Sequence, residues 1–324
     1  MTSTLAFDRK HPSAVDEKTQ SLLLGRPHKN HGAMWLTATV VLVGVLLVTY
    51  SLVTNERYEW DVAFSWFTSE RLFTGLLRTL GLTAISMVVG IVVGVLLALA
   101  RLAPNAIVAG VAAFLIWFFR GVPVFVQLLF WGFIAAIYPR IEIGVPFGPE
   151  FFSVDANVLI TPFVAAVLGL GLNEGAYMSE IVRAGLLSVN RGQTEAATAL
   201  GMRRFAILTR IVLPQAMKVI VPPTGNQTIS MLKTTSLVSV LAFPELLYSA
   251  QLVYSANFKT IPLLIAASMW YLLVTSILSL GQYFIERHYN RGTVTTSRTR
   301  KRTTPRRSKS AITAAKTSSK VGQS

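Results

Sequence analysis

Six long apolar runs separated by polar segments set the pattern of this chain, at about 34–54, 72–100, 106–137, 158–181, 216–250 and 262–285. A bilayer core about 30 Å thick needs roughly 20 consecutive, mostly apolar residues per helix, so every run is long enough to cross. The third and fifth exceed one crossing and carry Gly or Pro, which predicts tilted or interrupted helices. In the fifth, Pro222, Pro223 and Gly225 predict a break ahead of Asn226, Gln227, Lys233, Thr234, Thr235 and Ser236. The largest polar interruption, Gln193 to Pro214, is itself helix-forming. Ala196, Ala197 and Ala199 flank Leu200, Gly201 stops this first helix, and Phe205, Leu208 and Ile211 recur at helical spacing until Pro214 breaks the second. Glu195, near the start of the first helix, complements its positive end. Two short amphipathic helices joined at a glycine predict a compact knob. It either lies on the lipid surface or serves as a docking surface.

Composition agrees with a membrane protein. Of 324 residues 52% are hydrophobic and 14% charged, with a mean hydropathy of +0.53, which excludes an ordinary soluble domain. The first apolar run begins only after Met34. The polar arm before it, with Arg9, Lys10, Lys18, Arg26 and Lys29, is longer than a signal n-region, so the run is expected to stay as a membrane helix. Cysteine is absent and the four His have no ligand spacing, so no metal site or disulfide is expected. There is no GxxxxGK[ST] loop to cradle nucleotide phosphates, and no catalytic residue or cofactor is expected. Energy for any transport must come from a partner.

Basic residues near helix ends stay in the cytoplasm. The N-terminal arm, the turn at Arg101, the island with Arg183, Arg191, Arg203, Arg204 and Arg210, and the tail after Arg287 are basic. Six crossings put these four on one side. The other side holds Glu56, Glu59, Asp61 and Glu70, then Glu142, Glu150 and Asp155, then the link at Lys259. Both termini and the 182–215 island are therefore expected in the cytoplasm. Much of the +15 net charge sits in Arg291 to Ser324, a segment without acidic residues and with few large apolar ones, which predicts disorder. It is either a solvated tail that reinforces topology or a contact for anionic membrane lipids. Nucleic-acid binding is not expected, since no folded basic surface with interleaved aromatics is visible.

The stretch EAATALG followed by IVLP resembles the EAA signature of the membrane subunits of bacterial ATP-binding-cassette importers. The flanking GAYMSEIVRAGLLSVNRGQ and PQAMKVIVPPTGNQTISMLKTTSLVSV, and upstream TLGLTAISMVVGIVVGVLLALARL and FFRGVPVFVQLLFWGF, resemble the polar amino-acid (His/Gln/Glu/Arg-type) permease branch. The resemblance covers roughly residues 72–287. It implies an all-α, multi-pass protein of the bacterial inner (plasma) membrane with a five-helix, MetI-like permease core. The run 34–54 is then an extra N-terminal helix, with a cytoplasmic basic arm at 1–33 and a disordered basic tail at 288–324. It also implies a cytoplasmic ATP-binding subunit, an extracytoplasmic amino-acid-binding protein and a second permease subunit, the same or different. The solute is then a polar amino acid or, alternatively, another small amino-acid-like molecule. The coupling role falls on the loop 190–214, at Gln193, Glu195, Ala196, Ala197, Gly201, Leu213 and Pro214.

Polar groups within the spans are the candidates for solute contact, because a mid-membrane charge normally faces the bundle interior or water. Arg120, beside Gly121 and Pro123, is either a counter-ion for a solute carboxylate or a structural ion-pair partner. Gln127 follows on the same run. In the fourth run Asn173, Tyr177 and Glu180 share one helical face, and Glu180 and Arg183 form an i,i+3 pair that matches the family's AY-x-x-E-x-x-R pattern. A structural or gating role is expected for Tyr177, Glu180 and Arg183, and solute contact for Asn173 and Glu174. The family commonly has an acid where this chain has Thr234. Lys233 thus lacks its adjacent carboxylate, and Glu174 is the candidate replacement partner.

Overall fold

The computed structural model describes residues 31–144 and 150–289. The arm 1–30 and the tail 290–324, both singled out by composition, lie outside the described residues. The chain divides into two compact units, Met1–Ala63 and Phe64–Ser324. In the first, α1 (His31–Thr54) is an apolar helix whose span, Met34–Thr54, has a mean hydropathy of 2.3 and no buried residue in its apolar window. Asn55 then caps a 3-10 turn, Glu56–Tyr58, by accepting from the Arg57 amide at 3.0 Å. A short helix α2 (Trp60–Phe67) follows.

The second unit is organised around α3 (Glu70–Arg101) and α7 (Pro162–Leu187), its most extensive helix pair. Both carry Gly-x-x-x-Gly at the contact. A Cβ on Gly90 would lie 2.7 Å from Glu174 Cγ and one on Gly94 2.5 Å from Met178 Cβ. From the other side, Gly171 and Gly175 meet Val89 and Val93 just as closely. Small residues let the two backbones approach within a membrane, where dispersion rather than the hydrophobic effect holds helices together.

The run 106–137 is not one tilted helix. It forms α4 (Ala106–Gly121) and α5 (Val124–Gly132), bent by 100° at Val122–Pro123. Proline disfavours the helical region for the residue before it, and Val122 is accordingly extended (φ −89°, ψ 130°). Beyond a 3-10 turn at Ile134–Ala136, the strands β1 (Arg140–Gly144) and β2 (Glu150–Asp155) form an antiparallel hairpin, pairing Ile141 with Val154. This short hairpin lies in a connection between helices of an otherwise all-α fold. A single turn α6 (Ala156–Leu159) precedes α7, whose start is set by the Thr161 cap and Pro162 in its first turn.

The fifth run also differs from expectation. Beyond α8 (Arg191–Ala199), the chain is helical from Arg204 to Leu241, as α9 (Arg204–Ile207), a π turn (Leu208–Val212), α10 (Leu213–Thr234) and a 3-10 turn (Thr235–Leu241). Pro214 therefore does not break the second island helix. The π turn, closed by the Leu213 amide on Leu208 O, widens the ladder just before a residue that lacks an N–H. Nor do Pro222, Pro223 and Gly225 interrupt α10. The Pro222 carbonyl accepts from Gln282 Nε2 at 2.8 Å, and the Gln282 amide lies directly over Gly225, where a Cβ would collide with it. The actual break comes at Ala242–Pro244, with Ala242 left-handed (φ 56°), and α11 (Leu246–Asn257) and α12 (Thr260–Tyr289) complete the unit.

Among the described residues, four helices have the length and apolarity of a span, and the α4–α5 pair would make a fifth. The expected fourth span, α7, is long enough but is too polar to be counted with them.

Candidate solute path and coupling loop

Two cavities lie in succession along α7. The first, about 330 Å³, is lined by Asn173, Glu174 and Tyr177 of α7 and by Gln227, Ser230 and Thr234 of α10, which recur at i, i+3 and i+7 on one face. Glu174 is 6% exposed, with its Cγ over Gly90. Gln227 shares the cavity wall with it, while Glu174 Oε1 is buried with no hydrogen-bond partner. A buried acceptor left without a donor is costly, so helix packing alone leaves this carboxyl incompletely satisfied.

The second cavity, about 450 Å³, is lined by Arg101, Ala113, Trp117, Arg120, Tyr177 and Glu180, among others. The Arg120 guanidinium stands over the Tyr177 ring, 5.1 Å from its centroid. This contact, rather than an ion pair, is its partner in the fold. Asn173 Nδ2 donates to Phe119 O at 2.8 Å and so ties α7 to the end of α4. Glu180 accepts from Arg183 Nη2 at 2.6 Å and from Nε at 3.0 Å, the i,i+3 pair expected from spacing.

Several candidates do not reach these cavities. Gln127 is buried, and its amide donates to Phe119 O and Val122 O, both at 2.9 Å. It satisfies carbonyls that the bend at Pro123 frees, and it lines neither of the two cavities. Asn226 faces the other way and donates to Glu286 Oε1 of α12 at 3.3 Å. Lys233 is exposed, about 100° around α10 from Thr234, and no ion pair joins it to Glu174. Thr235 is buried and bonds Leu232 O, and Ser236 bonds Lys233 O. Neither lines the cavity.

One buried carboxylate escaped the sequence reading. Glu245, fully buried, caps α11 by accepting from the Leu247 and Tyr248 amides at 2.9 and 2.6 Å, and it also accepts from Tyr271 Oη at 3.0 Å. Beside it, Thr79 of α3 accepts from the Leu246 amide at 3.0 Å. The available signal was a Pro-Glu pair immediately before an apolar helical run, which has the form of an N-terminal cap.

The island between α7 and α10 is one short helix followed by the projecting end of a long one. Asn190 caps α8 by accepting from the Gly192 amide at 2.8 Å. At the other end Gly201 (φ 75°) makes a Schellman turn, with its own amide on Thr198 O at 2.9 Å and the Met202 amide on Ala197 O at 3.1 Å. Gln193, Glu195, Ala196, Gly201, Leu213 and Pro214 are exposed. Ala197 is buried, so it supports the helix from beneath and is not available for contact. Leu200 (83% exposed) and Phe205 (76%) project instead, on either side of the glycine turn. The sequence reading used both only as helix-forming residues.

Residues 90–291 match the family of binding-protein-dependent transport system inner membrane components. The chain belongs to this family. It is a multi-pass inner-membrane component of such a system and not its ATPase, and membership implies an ATPase and a binding protein as partners. The arginine transport system permease protein ArgU of Corynebacterium glutamicum is 43% identical over 269 residues, covering 82% of this chain and 83% of the relative. A crystal structure of an amino acid transporter of the ATP-binding-cassette class, with histidines, is 31% identical with a TM-score of 0.57, covering 67% of this chain and 94% of that one. The fold extends to the MetNI methionine transporter in inward-facing conformations, at 20% identity and a TM-score of 0.50, over 69% of this chain and all of that one.

Proposed function

We propose that this family member forms part of the translocation path of an ATP-driven importer for a polar amino acid with a cationic side chain, arginine first. The observation that carries the reading is Glu174, an acid nine-tenths buried in the wall of a cavity large enough for one amino acid. A guanidinium or ammonium seated in the cavity would meet an acid in its wall, and hydrogen bonds to charged groups are worth about 1.5–3 kcal/mol. The arginine-transport relative supports the same solute class. The amides of Asn173 and Gln227 and the hydroxyls of Ser230 and Thr234 suit the remaining polar groups. They also favour a second reading, a neutral solute with a side-chain amide.

In this reading α7 crosses the membrane as a sixth span, its polar face turned to the two cavities. Residues 34–54 are an extra N-terminal crossing ahead of a five-helix core, and both termini are cytoplasmic. The knob at 190–214 seats in the ATPase. Leu200 and Phe205 supply apolar anchors there, with Gln193, Glu195 and Ala196 around them. A second permease subunit completes the path. ATP binding closes the ATPase pair, the knobs move with it, and the path alternates between a side open to the binding protein and a side open to the cytoplasm.

The test is uptake by the complex of full-length chain, ATPase and binding protein in proteoliposomes. Glu174→Gln is expected to lower arginine uptake at least about tenfold, the loss of one charge-assisted bond, while leaving a neutral amide solute less affected. Equal loss for both solutes, or none for arginine, overturns the cationic assignment.

A further inference from the structure

We propose that Tyr177, with the Arg120 guanidinium stacked on its ring, is a gate dividing the solute path into two chambers, one around Glu174 and one between Arg120 and Arg101. The proposal deepens the reading above and rests on it. Tyr177 lines both cavities, and they follow one another along α7 toward the coupling loop. The frame around the ring is held firmly. One turn before it, Asn173 is tied to Phe119 O, which also accepts from Gln127, and one turn after it Glu180 is held by Arg183. Tyr177 is 38% exposed, and its ring is held from its face by a cation. A cation–π contact is the weakest of these ties, so the partition is the element that gives way.

The chemistry on the two sides differs in a way that suits a cationic amino acid. The first chamber offers a carboxylate, and the second offers Arg101 and Arg120. A solute guanidinium leaving Glu174 meets an aromatic face already occupied by a rival guanidinium. As it displaces Arg120 from the ring, Arg120 becomes free to take the solute carboxylate in a bidentate pair. Opening is thereby linked to a solute that carries both a cation and a carboxylate. A neutral side chain cannot compete for the ring.

The natural absence of cysteine allows a direct test in the assembled complex in membrane vesicles. Two reporters are introduced singly, Ala113→Cys in the arginine-lined chamber and Ser230→Cys in the Glu174 chamber. A charged, membrane-impermeant thiol reagent is added from whichever side labels Ala113→Cys. From that side Ser230→Cys is expected to label at least about tenfold more slowly. Tyr177→Leu and Arg120→Ala each raise the Ser230→Cys rate by about tenfold, the size of one lost cation–π contact. Tyr177→Phe and Arg120→Lys, which keep a ring and a cation, leave the rate near its starting value, and Ala113→Cys labels alike in every background. Three results overturn the gate: fast labelling of Ser230→Cys with Tyr177 intact, Tyr177→Phe as fast as Tyr177→Leu, or both reporters accelerating together as in general loosening. Labelling needs neither arginine nor ATP. A failure of arginine uptake is thus distinguishable from a failure of the gate.

Discussion

In the loop between α7 and α10, each turn is closed by a near neighbour in sequence. Asn190 caps Gly192, Thr194 bonds Arg191 O, Thr198 bonds Thr194 O, and Gly201 and Met202 return to Thr198 and Ala197. The cleft around Glu174 is assembled from distant positions. Gly90 seats the acid, Gln227 comes from α10, and Asn173 reaches a carbonyl 54 residues away. The α8 half of the loop closes its own turns, which suits the displacement-transmitting role proposed for it, while the second half runs on into α10. The cleft exists only while α3, α4, α7 and α10 are in register, so it changes whenever they move.

The largest effect that tests this contrast is Gly201→Val. At φ 75° a β-branched residue is strained by about 1–3 kcal/mol, and the Schellman turn that orients Leu200 and Phe205 reopens. ATP-driven uptake is expected to fall roughly a hundredfold, the equivalent of ~2.7 kcal/mol, because coupling geometry is lost. The melting temperature of the solubilised protein stays close to that of the parent, since nothing in the bundle packs against this glycine. A large drop in melting temperature would show that the loop is not independent of the bundle.

That same contrast accounts for what could be read from the chain. Gly201 as a stop, the Glu180–Arg183 pair and the apolar runs are local rules written in adjacent letters, and each has its counterpart in the fold. Pro222 and Pro223 misled because α10 stays helical through both, and the contact that marks this stretch comes from Gln282, 60 residues downstream, whose amide reaches the Pro222 carbonyl. The proposed partnership of Glu174 with Lys233 failed through rotation about a single helix. Thr234 faces the cleft, which turns Lys233 away from it. Gln127 is polar in an apolar run for a reason that a list of residues cannot supply, namely that the bend at Pro123 leaves carbonyls to be satisfied. Glu245, inside the fifth apolar run, was passed over because an acid directly after Pro244 looks like a loop residue until Tyr271 and two amides close around it.

A second test breaks the cleft from the glycine side. In Gly90→Leu the new Cβ falls 2.7 Å from Glu174 Cγ, and four heavy atoms must enter a contact already closed. Overpacking of this kind costs about 1–3 kcal/mol. Here stability and uptake are expected to fall together, with the melting temperature lowered by several degrees and arginine uptake reduced by about tenfold. If uptake fell with an unchanged melting curve, the α3–α7 contact would not be what holds the cleft in register.

The smallest effect is expected at the loop's long tie. Gln215 Nε2 donates to Gln193 Oε1 at 2.5 Å, joining positions 22 residues apart, and also to Ile211 O at 2.8 Å. If the loop is held by its local bonds, this bridge adds little. Gln193 is exposed, so water replaces the lost donor when Gln215→Ala removes it, and a neutral hydrogen bond exchanged for water is worth only about 0.5–1.5 kcal/mol. Uptake should therefore change by less than roughly threefold, and hydrogen exchange of the α8 amides should keep its protection. A tenfold loss of uptake, with α8 amides exchanging freely, would mean that the knob takes its orientation from α10 across this one bond. Movement of α10 would then reach the ATPase contact directly, and the separation between a self-contained loop and a bundle-made cleft would no longer hold.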